Sequence, residues 1–188
     1  MAPHDPSLTK PDRDRLLDEY LVLSVQTGSR TALNGLVRRY HRRFVGHAWR
    51  LLGDRDLAEE AVQSAWIEVL KGLKALKDER LFAAWAYRIV TRQAGRRIGR
   101  LVADRAVQAD LAGEAEHAVD PAEPDSPGFA RALAQLPPPQ RAAIALHYFD
   151  GLSIPEIAVA LEVPAGTVKT RLMHARLRLK AALEGHEP

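Results

Sequence analysis

Two short helical segments joined by a tight turn, near the carboxyl end of the chain, constrain the fold more than any other feature. Residues 151–158 read G-L-S-I-P-E-I-A, and residues 163–172 read V-P-A-G-T-V-K-T-R-L. Ser153 and Glu156 have the spacing of a capping box, in which a hydroxyl and a carboxylate satisfy backbone N–H groups at the start of a helix. Pro155 lies in the first turn, where its missing N–H costs nothing. The pattern predicts a helix-turn-helix.

The second of these helices has the charge bias of a surface that binds a polyanion. No acidic residue occurs from residue 163 to residue 183, although cationic residues are frequent there. Val168, Leu172, Ala175 and Leu179 recur at helical spacing and predict its buried stripe. The amino-terminal part of such a helix reaches base edges in a DNA groove. The competing interpretation is an exposed basic helix that only keeps the protein in solution. The residues expected to read bases are Thr167, Lys169, Thr170, Arg171 and His174.

The remaining sequence favours an all-α fold. β-branched residues are few and never alternate with polar residues over more than a few positions. Ala, Leu, Arg and Glu, which are good helix formers, dominate instead. The expected helices cover residues 12–26, 30–52, 56–72, 79–103, 127–135, 138–149, 153–161 and 166–184.

An acidic, proline-containing segment divides these helices into two groups. It offers little apolar surface to bury, which is typical of a linker. A solvated tether is the simpler interpretation, and a shield lying across a basic domain is the alternative. We therefore expect two small helical domains with the following limits: a disordered tail over 1–11, a first domain over 12–103, a linker over 104–126 and a second domain over 127–185.

Composition excludes several classes of protein. The chain has no cysteine, so neither a disulfide framework nor a thiolate metal site is possible. No apolar run approaches the roughly 20 residues that span a membrane, and the first residues lack the basic-then-apolar order of a secretory signal. We expect a cytoplasmic protein without membrane insertion.

Motifs of catalysis are also missing. There is no G-x-S-x-G, no glycine-rich phosphate loop, and no pair of histidines with metal-ligand spacing beside acids. The sequence therefore predicts no enzyme, no catalytic residue, no metal and no cofactor.

The first domain combines an acidic helix face with a basic, aromatic one. Glu59, Glu60 and Gln63 lie on the polar side of the helix predicted over 56–72, with Asp56 as its expected N-cap. The helix dipole alone accounts for acids in this place, and a cationic protein partner is the alternative. The helix predicted over 79–103 carries aromatic residues first and arginines afterwards, an order that suits single-stranded nucleic acid. A core position for the ring of Trp85 is the competing interpretation.

Taken together, these motifs resemble the extracytoplasmic-function group of the sigma-70 family, the bacterial subunits that direct RNA polymerase to promoters. The family's region 2 patterns L-x-R-R-Y, L-L-G-D, D-A-E-D-x-V-Q-E-T-F and F-x-A-W-L-Y-R-I-A correspond to residues 36–40, 51–54, 57–66 and 82–90. Its region 4 patterns L-P-x-x-Q-R, G-L-S-x-x-E-I-A and V-P-x-G-T-V-K-S-R-L correspond to residues 136–141, 151–158 and 163–172.

The resemblance implies core RNA polymerase and promoter DNA as partners, together with an anti-sigma factor. It implies that core polymerase binds Asp56, Glu59, Glu60 and Gln63. It implies that the melted −10 element contacts Lys77, Arg80, Phe82, Trp85, Arg88, Arg92 and Arg96. It implies that the −35 duplex contacts Thr167, Lys169, Thr170, Arg171, His174 and Arg178.

Three departures from the family pattern bear on these roles. Ser64 and Ala65 replace the usual Glu-Thr in the polymerase-binding motif, Arg92 and Arg96 stand where Asn and Asp are common, and His174 takes a frequent arginine position. A sigma-like decoy that binds only an anti-sigma factor is therefore kept as an alternative. A free-standing helix-turn-helix repressor is a further alternative, which leaves residues 82–100 unexplained.

Overall fold

The computed structural model describes the backbone of residues 10–109 and 127–184, and every regular element within these ranges is a helix, as predicted. Short 3-10 turns at Leu73–Ala75 and Glu79–Leu81 precede the fourth helix. The eight α-helices of the described residues are α1 (Lys10–Gln26), α2 (Arg30–Leu52), α3 (Arg55–Gly72), α4 (Phe82–Ala109), α5 (Pro127–Ala134), α6 (Pro138–Ile144), α7 (Ile154–Leu161) and α8 (Ala165–Glu184).

The first four helices form a bundle around an aromatic cluster. The ring of Phe44 on α2 lies 5.4 Å from that of Trp66 on α3 and 5.0 Å, edge-on, from that of Tyr87 on α4. Such tilted and edge-on contacts add to the free energy gained by burying the rings. Helix α1 lies across α2, where the Tyr40 hydroxyl donates to Asp18 Oδ2 at 2.6 Å. This bundle fixes the outer faces of α3 and α4.

Several helix ends differ from the sequence-based expectation. Helix α1 begins at Lys10, two residues before its predicted start, and residues 1–9 of the predicted tail lie outside the described residues. Helix α4 begins at Phe82 and continues through Ala109, whereas the predicted helix covers 79–103, and residues 110–126 of the predicted linker lie outside the described ranges. The reason is local, because residues 104–109 contain no Pro or Gly and are mostly good helix formers.

The N-cap of α3 is Asp54, not Asp56 as predicted. Asp54 has extended backbone dihedrals, and its Oδ1 accepts a hydrogen bond from the backbone N–H of Leu57 at 2.8 Å. Asp56 lies in the first helical turn with an exposed side chain. The helix dipole stabilises both carboxylates at this end of α3, but of the two only Asp54 accepts a hydrogen bond from an otherwise unpaired N–H group.

Asp54→Ala is expected to lower the free energy of unfolding by about 0.5–2 kcal/mol, because the Leu57 N–H loses its acceptor. Urea denaturation followed by circular dichroism measures the change. Asp56→Ala is the matched control, since it removes an exposed carboxylate two residues away that caps nothing. An equal loss in both variants would show that charge near the helix end, rather than capping, is responsible.

The carboxyl-terminal helices form the predicted helix-turn-helix. Both halves of the capping box are present at the start of α7, where the Ser153 N–H donates to Glu156 Oε2 at 2.8 Å. Glu162 ends α7 in the left-handed region, with φ of 53°, and turns the chain into α8. Val168, Leu172, Ala175 and Leu179 form the buried side of α8, so the predicted stripe is confirmed.

The helix predicted over 138–149 is α-helical in its first part and π-helical in its second. Helix α6 ends at Ile144 and continues as a π-helical turn over Ala145–Phe149, closed by the hydrogen bond from the Asp150 N–H to the Ala145 carbonyl at 3.1 Å. Such turns occur mostly as single insertions within α-helices and change the direction of the residues that follow. Here the turn carries Asp150 towards the first four helices, against which α6 and α7 pack.

Candidate nucleic-acid and polymerase interfaces

Helix α8 presents its polar residues to solvent on the sides away from its buried stripe. Thr167 and Arg171 are half-exposed, and the other predicted base-reading residues are exposed. Helical periodicity places Lys169 on the opposite flank of the stripe from Arg171. All the predicted base-reading residues therefore lie on α8, but they are divided between the two sides of its buried stripe. The larger flank comprises Thr167, Thr170, Arg171, His174 and Arg178.

The acidic residues of α3 share one face. Asp56, Glu59, Glu60 and Gln63 have i, i+3, i+4 and i+7 spacing, and all are exposed or half-exposed. Two of them already have partners, because Glu59 Oε2 lies 3.5 Å from His41 Nε2 and Glu60 Oε2 lies 3.3 Å from Arg97 Nη2. Surface contacts of this kind contribute little to stability.

The basic residues of α4 form a second face. Arg88, Arg92 and Arg96 follow one another at four-residue spacing, and Arg96 is exposed. Arg92 is paired with Glu68 of α3, whose other oxygen accepts from Gln93 Nε2 at 3.1 Å. Desolvation acts to raise the pKa of Glu68, but these hydrogen bonds and the positive charge of the two neighbouring arginines outweigh it and lower the pKa. Arg92 is therefore held in place by an ionised carboxylate.

The turn before α4 is ordered by Asp78. Its Oδ1 accepts from the Arg80 N–H at 3.1 Å, and the two carboxylate oxygens accept from the Arg80 guanidinium at 2.9 and 3.0 Å. The Arg80 hydrogen bonds lower the pKa of Asp78. Lys77 and Arg80 remain exposed beside this carboxylate. The turn thus presents two cations in a fixed loop at the amino-terminal end of α4.

The structure corrects one of the predicted nucleic-acid contacts. Phe82 is only 1% exposed, and its ring lies edge-on to Tyr40 at 5.2 Å, so it belongs to the core and has no face free to stack on a base. Trp85 is half-buried and packs over Gly72, where an added Cβ would come within 2.8 Å of the indole ring. The core interpretation is therefore partly confirmed, and a nucleic-acid contact through the accessible part of the Trp85 ring stays a prediction.

Sequence reasoning missed a buried polar cluster between the two groups of helices. Asp150 is 4% exposed, and its carboxylate contacts His47 Nδ1 at 2.9 Å and the Tyr87 hydroxyl at 3.0 Å. The other ring nitrogen of His47 lies 2.9 Å from Thr91 Oγ1. The available signal was that His47 falls on the apolar stripe of α2, three residues after Phe44, where a polar side chain needs a buried partner.

Comparison with known proteins identifies the two groups of helices. Sigma-70 region 2 matches residues 36–106, and sigma-70 region 4 matches residues 128–179. The chain is 31% identical over 181 residues to the RNA polymerase sigma-H factor of Pseudomonas aeruginosa, covering 89% of this chain and 94% of that protein. It is also 31% identical over 178 residues to the ECF RNA polymerase sigma-E factor of Escherichia coli K12, covering 87% and 92%.

A solved structure shares the fold across both regions. It is the sigma factor RpoE in complex with the anti-sigma factor NepR from Bartonella quintana, with a TM-score of 0.66 and 24% identity over 82% of this chain and 98% of that one.

This chain therefore belongs to the sigma-70 family, as an RNA polymerase sigma factor of the extracytoplasmic-function group. Members of this family are not enzymes; they bind core polymerase and promoter DNA to initiate transcription. The match over residues 36–106 overturns the alternative of a free-standing helix-turn-helix repressor, and the matched relatives are polymerase sigma factors rather than decoys. None of the helices in the described residues combines the length and hydropathy needed to cross a membrane.

Proposed function

We propose that this sigma factor divides promoter recognition among three surfaces, one on each of α3, α4 and α8. The observation that carries the proposal is the exposed polar flank of α8 above a fully buried apolar stripe, within the matched region 4. That geometry leaves donors and cations free to enter a major groove while the rest of the helix is anchored. The reading set is Thr167, Lys169, Thr170, Arg171, His174 and Arg178.

The −10 element is assigned to α4 and the turn before it. A melted strand requires cations for its phosphates and accessible planar groups for its bases. Arg88, Arg92 and Arg96 supply the cations on one side of α4, and the accessible part of Trp85 supplies a planar surface. Lys77 and Arg80 extend the basic surface into the preceding turn, and Phe82 acts by supporting that turn from the core.

Core polymerase is assigned to the acidic face of α3, formed by Asp56, Glu59, Glu60 and Gln63. These side chains cap no helix and fill no core, and a row of acids along one face is complementary to a basic protein surface. Ser64, one of the departures from the family pattern, directs its hydroxyl back to the Glu60 carbonyl at 3.0 Å. It therefore adds little to this face.

We also propose that the protein is located in the cytoplasm and binds an anti-sigma factor. Transcription takes place where core polymerase and DNA are, which places a polymerase subunit in the cytoplasm. The solved RpoE structure of the same fold is a complex with an anti-sigma factor, and a partner of that class is proposed for this chain. We keep the domain division as part of the proposal, with residues between α4 and α5 as the connection.

The proposal is tested by transcription with purified core polymerase and fragmented genomic DNA of the source organism. Start sites that share two upstream elements, and that appear only when the protein is added, are the expected result. Absence of such sites with core polymerase that is active with another sigma factor would contradict it.

Glu60→Ala combined with Gln63→Ala is expected to weaken binding to core polymerase about tenfold or more, since two of the four side chains of the acidic face are lost. Binding of the isolated protein to −35 duplex should not change. Affinity for core polymerase is measured by fluorescence anisotropy of labelled protein. The matched control is Glu19→Ala with Gln135→Ala, which removes the same two side-chain types from α1 and from the turn after α5. Equal weakening by the control pair would contradict the assignment.

A further inference from the structure

Helices α3 and α4 are joined along one seam by two charged pairs. Arg97 Nη2 of α4 donates to Glu60 Oε2 of α3 at 3.3 Å, and two turns further along α3 Glu68 pairs with Arg92. Residue numbers rise along α3 while those of the partners fall along α4, so the two helices run antiparallel here. Of the two carboxylates, only Glu60 belongs to the acidic face assigned to core polymerase. The pair with Arg97 therefore connects that face to the body of region 2.

The two members of this pair differ in how firmly they are held. The Arg97 side chain is 15% exposed, whereas the Glu60 side chain is 62% exposed. A side chain that is packed over most of its surface keeps few rotamers, and an exposed glutamate keeps many. The hydrogen bond therefore restricts the glutamate more than the arginine. Glu60 is held towards α4 through Oε2, while most of its surface stays open to a partner.

The position between the two pairs carries no charge on either helix. Ser64 lies one turn after Glu60 and one turn before Glu68, and the antiparallel register places it opposite residues 94–95, which are Ala and Gly. A glutamate at this position, as in the usual family pattern, would stand four residues from Glu60 and compete for the same guanidinium. With a serine there, this row has no carboxylate between Glu60 and Glu68 to draw Arg97 away.

The other internal contact of the acidic face is weaker in kind. Glu59 Oε2 lies 3.5 Å from His41 Nε2, and both side chains are half-exposed. Both therefore keep much of their mobility. A histidine also carries charge only when it is protonated, whereas a guanidinium is charged throughout the physiological range. Of the two contacts, the one from Arg97 is thus the one able to fix a carboxylate.

A fixed Glu60 binds a cationic partner better than a mobile one, even though an exposed pair adds little to the stability of the fold. Association costs free energy when it orders a free side chain, and the bond from Arg97 has already imposed much of that order. An ionised carboxylate has about four acceptor sites, so it can bind Arg97 and a cation of the partner together. Arg97 also supplies a donor that the carboxylate needs once the interface excludes water.

We infer that Arg97 is a positioning residue of the polymerase-binding face, which holds Glu60 in the orientation that a basic surface of core polymerase meets; this rests on the proposed function of α3. Arg97 acts through Glu60, because most of its own side chain is buried. Simple charge predicts the opposite effect, since a cation beside the acidic row weakens attraction to a basic partner. The direction of the change when Arg97 is removed therefore separates positioning from charge.

The test is a double-mutant cycle on the affinity of the full chain for core polymerase, measured by fluorescence anisotropy. Arg97→Met removes the guanidinium and keeps most of the apolar length of the side chain. It should weaken binding about three- to tenfold in the native background, and by less than about twofold when Glu60→Gln is already present. Arg100→Met is the matched control, because it removes an exposed arginine one turn further along α4 and should change the affinity by less than about twofold.

Equal weakening by Arg97→Met in both backgrounds would overturn the inference, because a direct contact with polymerase or a folding defect acts whichever residue occupies position 60. Unchanged or tighter binding of Arg97→Met in the native background would overturn it as well.

Glu60→Gln by itself distinguishes this failure from a failure of the proposed function. If Glu60→Gln leaves the affinity for core polymerase unchanged, the assignment of the acidic face is wrong and the role of Arg97 falls with it. If Glu60→Gln weakens binding and Arg97→Met does not, the assignment of the face stands and only the positioning role is lost.

Discussion

Arg171→Ala is expected to weaken binding to the −35 duplex by about 1–3 kcal/mol, roughly 5- to 150-fold in Kd, and to relax the base preference at one position. Arg171 lies near the start of α8, one turn after Thr167 and directly before the buried Leu172. Its backbone is therefore fixed by the core while its half-exposed guanidinium is free to form paired hydrogen bonds with a base edge. Both the position and the chemistry favour a specific contact.

The measurement is anisotropy of a labelled duplex that carries the upstream element found from the transcription start sites. Arg176→Ala is the matched control, because it removes the same charge from the same helix. The Arg176 Nε, however, donates to the Tyr148 hydroxyl at 2.8 Å, so this side chain is directed towards α6 and its π-helical turn. Arg176→Ala should lower affinity for all sequences alike and only slightly.

Salt dependence distinguishes a base contact from a phosphate contact at Arg171. Loss of one phosphate contact reduces the slope of log affinity against log salt by about 1, whereas loss of a base contact leaves the slope nearly unchanged and reduces discrimination. If Arg171→Ala and Arg176→Ala lower affinity equally for specific and mixed sequences, α8 binds DNA by charge alone, and the assignment of the reading face is wrong.

Local patterns were sufficient to predict the helix-turn-helix. The capping box of Ser153 and Glu156 and the apolar spacing on α8 depend on residues within one or two helical turns of each other. A short stretch of sequence is therefore enough to predict both. The prediction of the N-cap at Asp56 was wrong, because the spacing of residues alone does not identify the N-cap. Two acids stand two residues apart, and only the backbone dihedrals at Asp54 decide which carboxylate accepts the N–H hydrogen bond.

Contacts between distant parts of the chain could not be predicted in this way. The sequence around Phe82, with aromatic residues followed by arginines, is typical of a nucleic-acid surface. The exposure of Phe82 depends on α2, however, because α2 brings Tyr40 against its ring. The Asp150 cluster joins residues more than a hundred positions apart, because His47 and Asp150 meet only when region 4 packs on region 2. A π-helical turn, which has no clear sequence signal, is also needed to bring Asp150 there.

Phe44→Ala is expected to lower the free energy of unfolding of region 2 by about 3–5 kcal/mol. Phe44 is fully buried, and its ring touches aromatic rings from α2, α3 and α4, so truncation leaves a cavity at the point where three helices meet. A loss of this size is a large part of the 5–15 kcal/mol by which a typical domain is stable. Promoter-dependent transcription should therefore fall at temperatures where the native protein remains folded.

Urea denaturation followed by tryptophan fluorescence measures this change in region 2. Trp49, Trp66 and Trp85 are the three tryptophans of the chain, and all lie on α2, α3 or α4, so the signal reports on this region. Tyr20→Ala is the matched control, because this ring on α1 is 65% exposed and its loss should change stability by no more than about 0.5 kcal/mol. A similar small change in Phe44→Ala would show that the aromatic cluster is not the stabilising centre of region 2, and that the faces of α3 and α4 are held in place by other contacts.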